Sequence, residues 1–126
     1  MRPNKRQSSA SEHQIQSAFI QGLGYLENLH PQLALSFAVP NGGLRNVITA
    51  AKLKREGVRA GVPDWVLPWP CGAFKGLMIE FKSETGRTRA EQKGYISSAK
   101  AWGLRVEVCK DAEKAMQIVR EYLEGA

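Results

Sequence analysis

Asp64, Glu80 and Lys82 are the residues whose types and spacing point to chemistry. They lie in the stretch GVPDWVLPWPCGAFKGLMIEFK, residues 61–82, at the ends of two apolar runs separated by a Pro- and Gly-rich break. Residues two apart in a strand leave the same face, so Glu80 and Lys82 emerge side by side while Ile79 and Phe81 pack on the other. If the two apolar runs pair as an antiparallel hairpin, Asp64 comes to lie beside Glu80, and the three charges gather at one sheet edge. Two carboxylates can hold Mg²⁺ against a scissile phosphate with few other protein ligands. The metal would activate water and stabilise charge in the transition state, and a neighbouring lysine would orient or polarise the attacking water. The chemistry is that of phosphodiester hydrolysis.

The elements that must position these residues can be read in chain order. Ser11 and Gln14 have the form of a capping box, and Ile15, Ala18, Phe19, Gly22, Leu26 and Leu29 follow at helical spacing until His30-Pro31. Glu12, three residues before Ile15 and seven before Phe19, is expected to share or border the buried stripe of this helix. Leu33, Leu35, Phe37 and Val39 alternate as a strand would, and Pro40-Asn41-Gly42-Gly43 turns the chain. Asn46 to Glu56 reads as a short basic helix ended by Gly57, with Lys52 and Arg55 close together on one side. Asp64–Leu67 and Leu77–Lys82 are the hairpin strands. Thr88 and Glu91 form a second capping box, opening a helix that runs to Gly103. Leu104, Val106 and Val108 mark a further strand, and Asp111 caps a last helix with Ala115, Ile118, Val119 and Tyr122 on its apolar face. The fold class is α/β with a mixed central sheet flanked by helices.

Size and charge narrow the function classes. The chain of 126 residues has room for one domain, expected over residues 11–126 behind a flexible basic tail at 1–10. No apolar run approaches the roughly 20 residues of a membrane span, and the N-terminus lacks the apolar core of a secretory signal. Cys71 and Cys109 stand far apart without zinc-site spacing, and nothing points to an oxidising compartment, so a cytoplasmic protein without membrane attachment is expected. The net charge is +6, and up to Ala60 there are eight bases against three acids, a surplus of five. That clustering fits a phosphate-binding face.

A lone Glu-x-Lys is more often a surface ion pair worth roughly 0–1 kcal/mol, with Asp64 as a turn residue. The conjunction argues otherwise: a Gly-Val-Pro-Asp turn, a gap of fifteen residues, a strand ending in Glu-Phe-Lys, and Gln92 on the following helix. GVPD, IEFK and Gln92 resemble the PD-(D/E)xK nuclease superfamily, with its restriction-endonuclease-like core, and specifically its VRR-NUC branch, the virus-type replication-repair nuclease domain. The segments VPNGGLRN and GLRVEVCKDAEKAMQIVREYL match the same layout, so the likeness runs from Glu12 to about Leu123.

The resemblance implies Asp64, Glu80 and the backbone carbonyl of Phe81 as ligands of Mg²⁺ or Mn²⁺, Lys82 as the catalytic lysine, Glu12 as an auxiliary acid, and Gln92 supporting water or substrate. No organic cofactor is implied. Stand-alone members look like homodimers that cut branched DNA such as four-way junctions, and a two-fold dimer would suit a two-fold junction. Asn41, Arg45, Lys52, Arg55 and Arg59 are the candidate DNA contacts, alongside Lys54. The alternatives are a non-catalytic nucleic-acid-binding module with the same fold and a purely structural subunit. His13 and His30 read as helix-boundary residues, Trp65, Trp69 and Trp102 as core or interface, and Arg87 and Arg89 as structural ion-pairing groups.

Overall fold

The structure is a computed structural model that describes residues 10–40 and 47–125. Its first element, α1 (Glu12–Leu26), begins where Ser11 Oγ accepts from the Gln14 N–H at 3.1 Å and Gln14 Oε1 accepts from the Ser11 N–H at 2.8 Å, a reciprocal cap. The expected strand from Leu33 onward is replaced by a 3-10 helix, Pro31–Leu35, followed by the two-residue strand β1 (Phe37–Ala38). Pro31 suits the first helical turn, where its missing N–H leaves nothing unpaired, and Ser36 Oγ donates to the Leu33 carbonyl to close it. Only Leu33 of that run is buried, whereas Leu35 and Phe37 are exposed, so the alternation in the sequence is not a buried face.

After α2 (Val47–Arg55), Gly57 turns the chain at φ +105°. Strands β2 (Trp65–Leu67) and β3 (Leu77–Phe81) form the expected antiparallel hairpin. Helix α3 (Ala90–Ala101) then crosses over to β4 (Arg105–Cys109), which lies parallel to β3. The closing helix α4 (Ala112–Glu124) is capped by Asp111, whose Oδ1 accepts from the Lys114 N–H at 2.7 Å. The sheet order is β1-β2-β3-β4, antiparallel except for the last pair. The mixed α/β architecture is the one the sequence predicts.

Side-chain alternation divides the sheet into two unlike faces. Trp65, Leu67, Leu77, Ile79 and Phe81 point toward α1 and α4 and join Ile15, Phe19, Leu23, Ala115, Ile118, Val119 and Tyr122 in the main core. Phe19 sits at its centre, with ring centroids 5.0 Å from Trp65 and 5.1 Å from Phe81. On the opposite face Met78, Val106 and Ala99 make a small cluster, bordered by Val66, Tyr95 and Ile96. Every residue of β3 is buried, so the charged residue it carries toward this second face is withdrawn from water.

Candidate active site

Glu80 is that residue. It shares the β3 face of Met78, is 2% exposed, and is accompanied by two more buried polar side chains, Lys82 at 6% and Gln92 at 6%. The hairpin register pairs Trp65 with Ile79, which carries Asp64 opposite Glu80 one step further along. These are the two inner strands, so the charges gather at the end of the sheet's middle and not at a lateral edge.

Asp64 is fixed at two points. Its carbonyl accepts from the Val39 N–H at 2.8 Å, tying it to the chain beyond β1. Its Oδ2 accepts from the Phe81 N–H at 2.7 Å, so the side chain takes over a ladder position that the end of β2 leaves open. Phe81 thus contributes its ring to the core and its main chain to the site. Just upstream, Gly61 adopts φ +86° and lies so close to α3 that an added Cβ would fall 2.4 Å from the Glu91 carbonyl oxygen. Only glycine fits a conformation and an approach of that kind, which makes Gly61 the packing point between the Asp64 turn and α3. The role of this glycine depends on where α3 packs and leaves no signal in the sequence.

Glu80 Oε2 receives two donors, Gln92 Nε2 at 2.8 Å and Lys82 Nζ at 3.2 Å. Gln92 works twice, because its Oε1 accepts from the Arg89 N–H at 2.8 Å at the start of α3. That bond fixes which way the amide points, leaving Nε2 to face the carboxylate. The expected cap at Thr88 and Glu91 is therefore shifted by one residue: Arg89 is the N-cap and Gln92 the residue that reaches back. The second oxygen, Glu80 Oε1, is buried and has no hydrogen-bond partner among the described residues.

The electrostatics follow from this burial. Glu80 is pushed up to about 7, first by desolvation and then by the charge of Asp64, against the pull of Lys82. Asp64 is also raised, by desolvation and then by the charge of Glu12, while the Phe81 N–H works in the other direction. A surface ion pair would show neither the burial nor these shifts, so Glu80 and Lys82 are not a solvated surface pair.

Glu12 departs from its expected position. It is exposed at the first turn of α1 and not part of the buried stripe, because that stripe begins at Ile15 and runs through Phe19, Leu23 and Leu26. Its charge nevertheless reaches Asp64, and its Oε2 lies near Gly86. Among the described residues no three His, Cys, Asp or Glu side chains form a group that could hold a metal ion. Asp64 and Glu80 are two of the sort required, and an unpartnered buried carboxylate oxygen beside a second carboxylate is what a divalent cation would satisfy. The pair therefore fits such an ion, whose remaining ligands would have to come from water and substrate oxygens.

Lys52, Arg55 and Arg59 are exposed on or just beyond α2 and form no ion pair among the described residues. Asn41 and Arg45 lie outside the described residues. Trp65 is core, whereas Trp102 is 75% exposed and Trp69 38%. His30, the boundary residue between α1 and the 3-10 helix, shares a 2.7 Å hydrogen bond with Glu124 at the end of α4. No helix among the described residues is long and apolar enough to cross a membrane.

No curated protein matches the chain. A solved structure described as a VRR_NUC domain protein superposes with a TM-score of 0.74 over 91% of this chain and 89% of its own, at 24% identity, and so shares the fold. The VRR-NUC domain profile matches residues 7–113. With most of its length inside that match, and with the α/β sheet that carries Asp64, Glu80 and Lys82, the chain belongs to the VRR-NUC family of nuclease domains.

Proposed function

We propose that the protein is a Mg²⁺- or Mn²⁺-dependent endonuclease that hydrolyses phosphodiester bonds in DNA and selects branched structures such as four-way junctions. The observation that supports it is Glu80, a buried carboxylate with one oxygen clamped by Lys82 and Gln92 and the other unpartnered beside Asp64. Burying ions costs several kcal/mol each, roughly, and such a cost is seldom met where only stability is at stake.

Asp64, Glu80 and the Phe81 carbonyl are the groups that would hold the divalent ion, which supplies Lewis-acid stabilisation of the phosphate's charge. The chain's own residues do the rest. The Phe81 N–H and Gln92 amide hold the two carboxylates in position, so no reorganisation is needed when substrate arrives. Lys82 donates to the attacking water and keeps positive charge beside the reacting phosphate. Glu12 adds negative charge from α1. Lys52, Arg55 and Arg59, with Asn41 and Arg45, contact the DNA backbone. Branch selectivity and a two-fold homodimer come from the family resemblance, and an intracellular DNA substrate suits both.

The test is a panel of labelled junction, flap, nicked, duplex and single-stranded DNA with Mg²⁺, Mn²⁺ or EDTA. Junction cutting that needs the metal and vanishes in Lys82→Ala is the expected result. Salt-sensitive binding without metal-dependent cutting would instead identify a non-catalytic DNA-binding module.

A further inference from the structure

Outside the Glu80 site, α2, the turn at 57–60 and α3 border an open concavity of about 780 Å³, within the roughly 300–1,000 Å³ typical of small-molecule sites. Its lining combines apolar Leu53 and Val58 with the aromatic residue Tyr95, which also packs against the Met78, Ala99 and Val106 cluster, and the cations Lys54 and Arg59. Lys54 and Arg59 are exposed and have no acidic partner among the described residues. Glu91, an acid in the same lining, is engaged by Arg89 at 3.3 Å. Gly94 of α3 also lines the concavity, and a Cβ there would meet no atom within 4 Å. Nothing in the described chain packs into that space.

The concavity shares a wall with the active site. Glu91 lines it, and the next residue, Gln92, holds Glu80. Gly61, three residues before Asp64, lies against the Glu91 backbone. A DNA strand with a phosphate at Glu80 and Lys82 would pass close to this wall. Apolar surface with an aromatic ring suits the face of a base, and free cations suit the phosphates that flank it, the combination by which single strands are bound. A paired base, stacked on both sides, presents only its edges and cannot enter.

We infer that the α2–α3 concavity receives an unpaired nucleobase of the strand that crosses the active site, with Lys54 and Arg59 against the adjoining phosphates. This rests on the reading of the protein as a DNA-acting nuclease, and it narrows the substrate to branched DNA whose branch point leaves a nucleotide unstacked beside the cut.

Two fluorescent oligomers of equal length test it, an oligothymidylate and an oligomer of abasic sites, titrated in EDTA so that neither is cut. The oligothymidylate is expected to bind about tenfold more tightly. Gly94→Leu, which fills the concavity with a better helix former, is expected to erase that preference without lowering the thermal midpoint. Lys54→Ala is expected to weaken both oligomers alike and to flatten the salt dependence. Equal binding of the two oligomers, or a base preference that survives Gly94→Leu, overturns the inference. So does a Gly94→Leu protein whose self-association changes in sedimentation while its oligomer binding does not, since the concavity would then be a contact between copies. Base-dependent, Gly94-sensitive binding by a protein that cuts nothing in Mg²⁺ would remove the nuclease reading and leave the nucleobase site standing. Metal-dependent cutting with no base preference would do the reverse.

Discussion

On the sheet face covered by α1 and α4, fifteen buried apolar residues form one cluster centred on Phe19, Trp65 and Phe81. On the face covered by α3, the described cluster has three, Met78, Ala99 and Val106, and next to them lie the buried Glu80, Lys82 and Gln92. A single strand, β3, supplies both, sending Ile79 and Phe81 one way and Glu80 the other. The contrast separates two tasks. The first face supplies enough apolar burial to hold the strand in place, and that rigidity lets the second carry charges that destabilise the fold.

The comparison predicts that the two faces fail differently. Phe19→Ala removes a fully buried ring with aromatic neighbours on two sides, and a change of this kind costs about 3–5 kcal/mol. Denaturant unfolding should show that loss, while the folded fraction keeps its cleavage rate per molecule. A Phe19→Ala protein as stable as the wild type would mean that the main core does not reside where the rings meet.

Asp64→Asn should do the opposite. Asparagine can still accept from the Phe81 N–H, so the turn keeps its hydrogen bond while one half-buried charge disappears. Cleavage should fall by roughly 10²–10³-fold, the usual size of losing one charge-stabilising group, and the unfolding midpoint should hold or rise. Loss of both together would place Asp64 among the residues that hold the fold.

How much of this was legible in the sequence differs between the same two faces. The apolar periods of α1 and α4 place Ile15, Phe19, Ala115, Ile118, Val119 and Tyr122 correctly, because a continuous buried stripe leaves a regular pattern. The hairpin and its Asp64–Glu80 approach were legible too, since the register follows from two short apolar runs and a turn. Leu33 to Val39 misled because apolar residues alternate there without a buried face to select them, and Pro31 imposed a 3-10 turn instead. The double role of Gln92 and the approach of Gly61 to Glu91 could not be read, as both depend on how α3 is placed against the hairpin. The concavity behind α3 is of the same kind: it exists between elements and leaves no periodicity in either.

A pH series sharpens the comparison further. Glu80 is raised from 4.5 to about 7, so between those values the folded protein keeps a proton that the unfolded chain has released. Stability of the cation-free protein from this group is fully present below pH 4.5 and is lost as the pH rises through about 7. The loss amounts to on the order of 3 kcal/mol at most. Asp64, also raised, contributes in the same direction. Unfolding midpoints recorded in EDTA should therefore decline across this window relative to those of Glu80→Gln, in which the step is absent. Adding Mg²⁺ should reduce the decline, because an ion between the carboxylates favours their ionised forms. A wild-type profile parallel to that of Glu80→Gln would show that Glu80 titrates as an ordinary surface acid.

The smallest expected effect belongs to Glu12, exposed at the first turn of α1. Its backbone starts the helix that covers the main core, yet its charge is felt by Asp64 across the end of the sheet. Being exposed, it anchors no packing, and its place in the first turn of α1 is one that tolerates glutamine with only a small loss of helix-dipole attraction. Glu12→Gln should leave the unfolding curve within experimental scatter. If Glu12 serves only through its field, cleavage should fall by about tenfold, the low end of the scale for a group one step removed from a bound ion, and higher Mg²⁺ should restore it. A larger loss that Mg²⁺ does not repair would mean that Glu12 swings inward from α1 to join Asp64 and Glu80 when substrate binds, and that the stable face contributes a side chain to the reactive one.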